Sequence, residues 1–285
     1  MRTATLQDRL VLVTDGNCTL GAIDVETASG GRFAASPQAV FDRWDEFREW
    51  AAASAPQHRP VAFRPEELGA PVPEPRQIFA IGLNYRDHAA ESGLDAPGTF
   101  PPVFTKFRTA LAGPHTTVRL PKGDVDWEVE LVVVIGRRAE RVSAEDAWSH
   151  VAGLTVGQDI SERVSQLAGP APQFSLGKSF PGFAPIGPWL VTPDEIDDLD
   201  DIEVTCSLNG EEVQKASTKD LIFSVPRLVE GLSAVLPLLP GDLIFTGTPA
   251  GVGLGRSPQR FISPGEELVS RVAGIGEIRQ RFVAG

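Results

Sequence analysis

Short apolar runs separated by turn residues follow one another along most of this chain, and few stretches have the spacing of a helix. Runs of this kind, rich in Val, Ile and Phe, are typical of buried strands. They lie at residues 9–14, 78–82, 102–106, 127–136, 151–159, 202–208 and 242–246. Helical spacing occurs at residues 40–53 and 223–239, and Asn209-Gly210 has the sequence of a two-residue hairpin turn. The pattern predicts a strand-rich α+β fold.

A proline-rich segment divides the chain into two unequal parts. Its prolines, which can continue neither a helix nor a central strand, are Pro60, Pro65, Pro71, Pro73 and Pro75. We therefore predict a small N-terminal α+β domain over residues 1–72 and a larger, strand-rich domain over residues 73–285. Within the small domain, Asp15-Gly16 is a candidate turn that follows a short strand.

The composition is that of an ordinary globular protein. Its 285 residues carry a formal net charge of -12 at pH 7. Nucleic acids and anionic membranes attract basic surfaces, so neither is expected as a partner. No apolar run is long enough to span a bilayer and the first residues lack the apolar core of a signal peptide, so we expect a cytoplasmic protein. Cys18 and Cys206 are far apart and are expected to be buried thiols.

Three acidic residues lie unusually close to apolar runs. Glu128 and Glu130 are two residues apart at the start of the run 127–136, and Asp159 ends the run 151–159. Residues two apart in a strand project from the same face, so the two glutamates would need a nearby cation. Carboxylates on rigid strands suit Mg2+, Mn2+ or Ca2+, and Asp159 is the best candidate for a third ligand. The alternative is the solvated face of an edge strand.

A second candidate site follows the apolar run 78–82. His88 and Glu91 are three residues apart, which places them side by side on a helical turn. A carboxylate beside an imidazole fixes the orientation of the ring, as general-base chemistry on water requires. An ordinary ion pair on a helix surface would have the same spacing.

Polar and glycine-rich motifs interrupt the apolar runs of the larger domain. They are Gly82-Leu-Asn-Tyr-Arg-Asp-His88, Asp126-Trp-Glu-Val-Glu-Leu131, Gly157-Gln-Asp159, Gly177-Lys178, Ala184-Pro-Ile-Gly-Pro188, Leu239-Pro-Gly-Asp-Leu-Ile244 and Thr246-Gly-Thr-Pro-Ala-Gly-Val-Gly253. In this order and spacing they resemble the large C-terminal catalytic domain of the fumarylacetoacetate hydrolase superfamily. The resemblance extends from about residue 77 to residue 282, and several independent motifs together make it specific.

The resemblance implies a mixed β-roll catalytic domain of the fumarylacetoacetate hydrolase type and a homodimer. It also implies one Mg2+ or Mn2+ per subunit, held by Glu128, Glu130 and Asp159, in agreement with the argument from the carboxylates themselves. In members of this family the metal binds the 2-oxo acid end of an acylpyruvate-like substrate.

The resemblance also assigns catalytic roles. His88 and Glu91 correspond to the pair that activates the attacking water. Lys178 corresponds to a lysine beside the metal, whose ammonium group stabilises developing negative charge. The glycine and aromatic residues around Lys178 make an incidental solvated charge there less plausible than a functional one.

Three further residues are implied to bind the substrate. Arg163 and Gln166 follow the third acidic ligand in the spacing of the family and are expected to contact carboxylate or oxo groups. Thr248 resembles a threonine whose hydroxyl group holds the substrate carboxylate. The chain departs from the family at Phe107 and Arg108, where many relatives have a proline, so the pocket wall nearby is expected to differ.

These implications predict a divalent-metal-dependent hydrolase that cleaves a carbon–carbon bond in an acylpyruvate-like 2,4-dioxo acid, such as fumarylpyruvate, acetylpyruvate or a diketo-deoxy sugar acid. The same residues would serve a 2-hydroxyhepta-2,4-diene-1,7-dioate isomerase or an oxaloacetate decarboxylase, although the His88–Glu91 pair favours hydrolysis. An inactive protein that binds a metal and a dicarboxylate is the alternative of a different class, and it would require a broken ligand set. A nicotinamide oxidoreductase is disfavoured, because no strand, glycine loop and helix occur in the required order.

Overall fold

The computed structural model describes residues 1–16, 19–54, 57–91, 93 and 95–285, and strands dominate this part of the chain. The strands are β1 (Arg2–Leu6), β2 (Arg9–Gly16), β3 (Thr19–Asp24), β4 (Val61–Ala62), β5 (Leu68–Gly69), β6 (Ile78–Ile81), β7 (Val103–Thr105), β8 (Leu111–Ala112), β9 (His115–Leu120), β10 (Val125–Asp126), β11 (Val129–Ile135), β12 (Val151–Gln158), β13 (Ser161–Glu162), β14 (Ala184–Val191), β15 (Glu203–Leu208), β16 (Glu211–Ser217), β17 (Leu243–Phe245), β18 (Glu267–Val272) and β19 (Gly276–Ala284).

Helices are short and lie between the strands. The α-helices are α1 (Val25–Ala28), α2 (Trp44–Ser54), α3 (Arg86–Glu91), α4 (Arg163–Gln166), α5 (Phe174–Gly177) and α6 (Val225–Val235). Turns of 3-10 helix are Ala39–Arg43, Pro65–Glu67, Arg108–Ala110, Ala147–His150, Pro193–Glu195 and Thr218–Asp220. Within the described residues, no helix combines the length and the apolar character needed to cross a membrane.

Two mixed sheets form the body of the molecule. The larger has the order β4-β3-β2-β1-β14-β12-β11-β17-β6-β7, with β5 beside β1 and β8 beside β14. The smaller has the order β16-β15-β18-β19-β9. They face each other where β12 meets β18 and β14 meets β19, and the apolar core lies between them. This strand-rich α+β arrangement, with parallel and antiparallel neighbours, confirms the predicted fold class.

Strand β11 lies in the interior of the larger sheet, and every one of its residues is buried. Its neighbours on either side, β12 and β17, cover both of its edges. A continuous apolar run is the sequence expected for a strand buried on both faces. The interpretation of Glu128 and Glu130 as the solvated face of an edge strand is therefore wrong.

The N-terminal strands continue the larger sheet. Strand β1 pairs with β2 on one side and with β14 on the other, where Arg2 is opposite Val191. The side chains of α2 and its preceding 3-10 turn, including Trp44 and Phe47, belong to the same apolar core as the central strands. Residues on the two sides of residue 72 thus share a sheet and an apolar core. The domain boundary at this residue stays a prediction.

Two local predictions are wrong in detail. The candidate turn at Asp15-Gly16 lies inside β2, where Gly16 pairs with Thr19 of β3. Helix α6 ends at Val235, several residues before the predicted end at residue 239. Residues that precede a proline avoid helical dihedrals, and Pro237 follows an extended residue directly after the helix.

The hairpin predicted at Asn209-Gly210 is confirmed. Strands β15 and β16 pair on either side of it, with Leu208 opposite Glu211. Both turn residues have positive φ angles, 52° and 83°, which is why asparagine and glycine occupy them. Of the two cysteines, Cys206 is a buried free thiol as predicted, and Cys18 lies outside the described residues.

Candidate active site and metal centre

The three predicted metal ligands lie together in the middle of the larger sheet. Glu128 precedes β11, Glu130 lies within it, and Asp159 directly follows β12. Because β11 and β12 are antiparallel neighbours, the start of one meets the end of the other. Ligand oxygens of the three carboxylates all lie within 4.8 Å of one another, and all three residues are buried. The main chain fixes this meeting point, since the Asp159 amide donates to the Glu128 carbonyl at 2.9 Å.

Three cations surround this acidic group. The Lys178 ammonium donates to Glu128 at 2.7 Å and to Asp159 at 2.6 Å. The Arg163 guanidinium lies 2.7 Å from the other oxygen of Glu128. Lys106, to which the sequence analysis gave no role, is buried and donates to the carboxylate of Asp159 and to the carbonyl of Lys178.

These cations determine the ionisation of Glu128. Burial favours the neutral form of Glu128, but the nearby Lys178 and Arg163 lower its pKa to about 2. Burial likewise opposes the charge of Lys178, but Asp159 and Glu128 together raise its pKa above the ordinary value. Glu128 and Lys178 therefore form a buried ion pair at neutral pH.

Glu130 has a different environment from its two neighbours. Within the described residues it makes no ion pair, and its Oε2 atom accepts a hydrogen bond from the Gly247 amide at 2.7 Å. Burial and then the charges of Asp159 and Glu128 raise its pKa well above the ordinary value. A divalent cation would relieve this repulsion. Three buried carboxylates that converge in this way fit one Mg2+ or Mn2+.

His88 and Glu91 form a pair on the short helix α3. The Nδ1 atom of His88 lies 2.9 Å from Oε1 of Glu91, and the amide of Gly251 donates to both oxygens of that carboxylate. When Nδ1–H of His88 donates this hydrogen bond to the Glu91 carboxylate, Nε2 is left as the basic nitrogen of the ring. Since His88 is buried, the alternative of an ordinary surface ion pair is wrong.

Arg163 and Gln166 lie at the two ends of helix α4. Nε and Nη2 of Arg163 donate to Oδ2 of Asp126 at 2.9 and 2.7 Å, and Nη1 donates to Gln166 at 2.9 Å. Asp126 also accepts hydrogen bonds from the amides of Gly253 and Leu254. The sequence analysis quoted Asp126 within a motif but gave it no role. In the structure it orients Arg163 and anchors the glycine-rich loop.

Thr248 is buried beside β11. Its hydroxyl donates to the Val129 carbonyl at 3.0 Å and accepts from Nε2 of Gln214 at 2.8 Å. Gln214 also donates to the Pro249 carbonyl, so this amide fastens the loop to the sheet. The hydroxyl proton of Thr248 is thus used within the protein, and its contact with substrate stays a prediction.

One pocket of about 280 Å3 opens onto this group. Predicted site residues that line it are His88, Glu128, Arg163, Gln166, Lys178 and Thr248. The other three predicted residues contact these from behind, through the ion pairs and the acidic cluster described above. All nine predicted residues therefore belong to one site, while their individual roles stay predictions.

The sequence comparison agrees with this geometry. A family model described as the fumarylacetoacetate (FAA) hydrolase C-terminal domain matches residues 77–283, which include every site residue named above. The chain belongs to this family. Two curated relatives each align with this chain over 216 residues. The oxaloacetate tautomerase FAHD2A, mitochondrial, of Bos taurus is 41% identical and covers 75% of this chain and 68% of its own. The 2,4-didehydro-3-deoxy-L-rhamnonate hydrolase of a Sphingomonas species is 44% identical and covers 75% of each chain.

Solved structures of the family have the same fold over the whole chain. A Mycobacterium smegmatis structure, described provisionally as an HpcE protein, is 52% identical with a TM-score of 0.94 and covers 100% of both chains. The maleylpyruvate hydrolase of Sphingobium sp. SYK-6, in complex with manganese(II) and pyruvate, is 27% identical with a TM-score of 0.81 and covers 100% of both chains. The relatives are enzymes, and this family member is an enzyme with an acidic site able to hold a metal.

Proposed function

We propose that this family member is a divalent-metal-dependent hydrolase that cleaves a carbon–carbon bond in an acylpyruvate-like 2,4-dioxo acid. The observation that carries the proposal is the His88–Glu91 pair, whose buried histidine lines the same pocket as Glu128 of the acidic cluster. A carboxylate-oriented imidazole is the usual general base for activating water, and hydrolysis is the reaction in this family that needs an attacking water.

Glu128, Glu130 and Asp159 would hold one Mg2+ or Mn2+. When bound, such an ion supplies electrostatic stabilisation to the 2-oxo acid end of the substrate. The maleylpyruvate hydrolase of similar structure contains manganese and pyruvate, which supports this choice of metal and of product class. Arg163 and Gln166 line the same pocket and would orient oxygen atoms of the substrate.

The protein groups account for the proton and charge movements. His88 takes a proton from water through Nε2, while Glu91 holds the opposite ring nitrogen and stabilises the imidazolium. The resulting hydroxide adds to the carbonyl carbon at position 4 of the substrate. The bond between carbons 3 and 4 then breaks, its electron pair passes to the pyruvate part as an enolate, and the acyl part leaves as a carboxylic acid. Transfer of the proton from His88 to carbon 3 gives pyruvate and restores the base. Lys178 would stabilise the negative charge on the pyruvate part.

An oxaloacetate tautomerase is a second candidate, because the relative of that name is 41% identical. Tautomerisation requires proton transfer between carbon and oxygen and consumes no water. The 2-hydroxyhepta-2,4-diene-1,7-dioate isomerase and oxaloacetate decarboxylase reactions, which the same residues would serve, likewise need no attacking water. Measurement of the products therefore separates the hydrolase from all of these reactions.

The test is turnover of acetylpyruvate, fumarylpyruvate and oxaloacetate with Mg2+ or Mn2+, and again with a chelator. We expect an acylpyruvate to give pyruvate and a second carboxylic acid, with one oxygen from labelled water in the second acid. Isomerisation or tautomerisation without incorporation of labelled oxygen would overturn the hydrolase proposal.

The variant His88→Ala tests the role of the base. We expect it to lower kcat by at least about a hundred-fold, because general-base catalysis contributes this much in comparable sites. His150→Ala is the matched control, since His150 lies outside the pocket and its ring Nδ1 lies 3.0 Å from the main-chain carbonyl of Arg138. Equal turnover by both variants would contradict the assignment of His88.

The cellular location follows the sequence expectation and is proposed to be cytoplasmic. Since the tautomerase relative is named as mitochondrial, fractionation of the native cells is the appropriate measurement. Neither nucleic acid nor a membrane surface is proposed as a partner, because the net charge is -12.

A further inference from the structure

The pocket has a charged wall and an apolar wall. The charged wall is the acidic cluster with its lysines and arginine. The apolar wall consists of Leu83, Phe104, Leu167, Phe174, Val252 and Leu254. A substrate whose 2-oxo acid end lies at the charged wall must therefore place its acyl end against hydrocarbon.

The apolar wall begins directly beside the charged one. Nζ of Lys178 lies 5.0 Å from the centre of the Phe104 ring. The rings of Phe104 and Phe174 pack edge to face, with their centres 5.6 Å apart. Strand β7 supplies Phe104 and helix α5 supplies Phe174, and these two elements pack together. The change from charge to hydrocarbon thus takes place within the length of a small substrate.

The cations of the site are already committed to carboxylates. Lys106 pairs with Asp159, Lys178 pairs with Glu128 and Asp159, and Arg163 pairs with Asp126 and Glu128. The described residues that line the pocket include no further lysine or arginine.

Arg163 is the best candidate among the three cations for pairing with a second substrate carboxylate, but its hydrogen bonds limit this role. Two of its N–H groups are held by the buried carboxylate of Asp126. If Glu128 turned to a metal, Nη1 of Arg163 would still be bonded to Gln166. The guanidinium can therefore offer a hydrogen bond to a carbonyl oxygen, but its charge is compensated by Asp126.

We infer that the acyl end of the substrate is short, apolar and uncharged, so that monocarboxylic acylpyruvates are preferred over dicarboxylic ones. This inference rests on the proposed function for the position of the 2-oxo acid end. A second carboxylate against the apolar wall would be buried without a cation, which is strongly unfavourable. The cavity of about 280 Å3 is at the lower limit for ligand pockets and restricts the acyl group to a few carbon atoms.

A binding experiment tests the preference without requiring turnover. Two unreactive 2-oxo acids of equal chain length, 2-oxopentanoate and 2-oxoglutarate, differ only in a terminal methyl or carboxylate group. We expect calorimetry with the Mn2+-loaded protein to give a dissociation constant at least about ten-fold lower for 2-oxopentanoate. Equal affinities, or tighter binding of 2-oxoglutarate, would overturn the inference.

A charge introduced at the apolar wall should change the preference. Leu167→Arg adds a cation at the rim of the pocket, and Val235→Arg adds one on helix α6, away from the pocket. We expect Leu167→Arg alone to tighten 2-oxoglutarate binding by about ten-fold. The same gain in both variants would show general attraction between charges and would contradict the inference.

Turnover distinguishes this inference from the proposed function. Faster cleavage of fumarylpyruvate than of acetylpyruvate would overturn the inference and leave the hydrolase in place. Failure to cleave either compound, together with tighter binding of 2-oxopentanoate, would overturn the hydrolase proposal and support the apolar preference of the pocket.

Discussion

Lys106 is an ammonium group sealed beneath the acidic cluster, with 1% of the residue exposed. Burial lowers its pKa, while the charge of Asp159 acts in the opposite direction. It donates to the Asp159 carboxylate and to two main-chain carbonyls, those of Ile160 and Lys178. Its ion pair and hydrogen bonds join the end of β7 to the end of β12, so the lysine holds one metal-ligand candidate in place.

The variant Lys106→Met should therefore destabilise the protein strongly. The variant removes one of the two ammonium groups that pair with the buried Asp159 carboxylate, and it takes a donor from the Ile160 and Lys178 carbonyls. We therefore expect a loss of about 3 kcal/mol in the free energy of unfolding. Urea unfolding with a chelator present measures it. Lys122→Met, at an exposed lysine, is the control and should change the same quantity by less than about 0.5 kcal/mol. Similar values for the two variants would contradict a structural role for Lys106.

The buried thiol gives a pH prediction. Burial raises the pKa of Cys206 from 9.0 to about 12. The neutral thiol is thus favoured in the folded state, and its contribution to stability is complete below pH 9 and is lost as the pH rises towards 12. At pH 9 the native thiolate fraction is on the order of a thousandth, whereas the unfolded chain is about half ionised.

We expect Cys206 to resist alkylation in the native protein. In a Cys18→Ser background, where it is the one remaining thiol, iodoacetamide at pH 9 should react at least about a hundred-fold more slowly than in urea. Mass spectrometry over time gives both rates, and the double variant lacking both thiols sets the background. Comparable rates in the two states would show that the thiol is accessible.

At the scale of single residues, sequence reasoning found the groups that have a short-range signature. Glu128 and Glu130 could be recognised because strand periodicity puts both on one face beside an apolar run. The role of Lys106 could not be recognised, because its partner Asp159 is 53 positions away in the sequence. The residues next to Lys106 show only that it follows a short strand. The role of Asp126 could be recognised only from the structure, in which its carboxylate accepts hydrogen bonds from the amides of Gly253 and Leu254.

At the scale of elements, helix α3 depends on the glycine-rich loop that faces it. The Gly251 amide donates to both oxygens of Glu91, and a side chain at Gly255 would meet the same carboxylate at 2.8 Å. Gly251 has a φ of 107°, and a methyl group there would collide with the carbonyl of Val213. Glycine at both positions is therefore required for the loop to approach the helix and hold Glu91.

The variant Gly251→Ala should separate the loop from the helix and leave His88 without an oriented partner. We expect kcat to fall by at least about ten-fold, because the base loses the carboxylate that orients it. KM should rise as well, because Val252 and Leu254 of the same loop line the pocket. Gly265→Ala is the matched control, since its φ is 90° and nothing lies within 4 Å of the added atom. An equal fall in kcat in both variants would attribute the effect to backbone strain alone.

The elements themselves were largely predictable and their ends were not. Apolar runs such as those of β11 and β12 identify buried strands by length and composition. The helical spacing of residues 223–239 extends beyond the end of α6, because Pro237 forces Leu236 into an extended conformation inside that run. A proline acts on the residue before it, so the first one after a helix decides its end.

At the scale of the whole molecule, the homodimer implied by the family resemblance is a prediction. Phe107 and Leu176 are 47% and 71% exposed and line one surface groove. Exposed apolar side chains that adjoin each other often mark an interface. We expect light scattering after gel filtration to give twice the chain mass of 30.5 kDa.

The variant Leu176→Glu locates the contact. A charge in a dimer interface should shift the species towards the monomer at micromolar concentration. Val235→Glu is the control, because Val235 is 82% exposed on helix α6 and does not line this groove. A dimer that persists in the first variant would place the interface elsewhere, and a monomeric parent protein would contradict the dimer.

The order of strands was beyond prediction from the sequence. Strand β1 neighbours β14, and β6 lies parallel to β17, although each pair is far apart in the chain. Apolar patterns show that a strand is buried but carry no information on which distant strand lies next to it. The prediction of a mixed β-roll thus came from the family resemblance, which the comparisons confirm.

The position of β1 has a consequence for synthesis of the chain on the ribosome. Its Arg2 pairs with Val191, so part of one edge of this strand stays open until β14 has emerged. At ordinary elongation rates that interval is on the order of ten seconds or more. The hairpin of β11 and β12 carries the acidic residues and can close from neighbouring sequence in the meantime. The nascent chain can therefore hold its future catalytic scaffold while its first strand still needs protection from other chains.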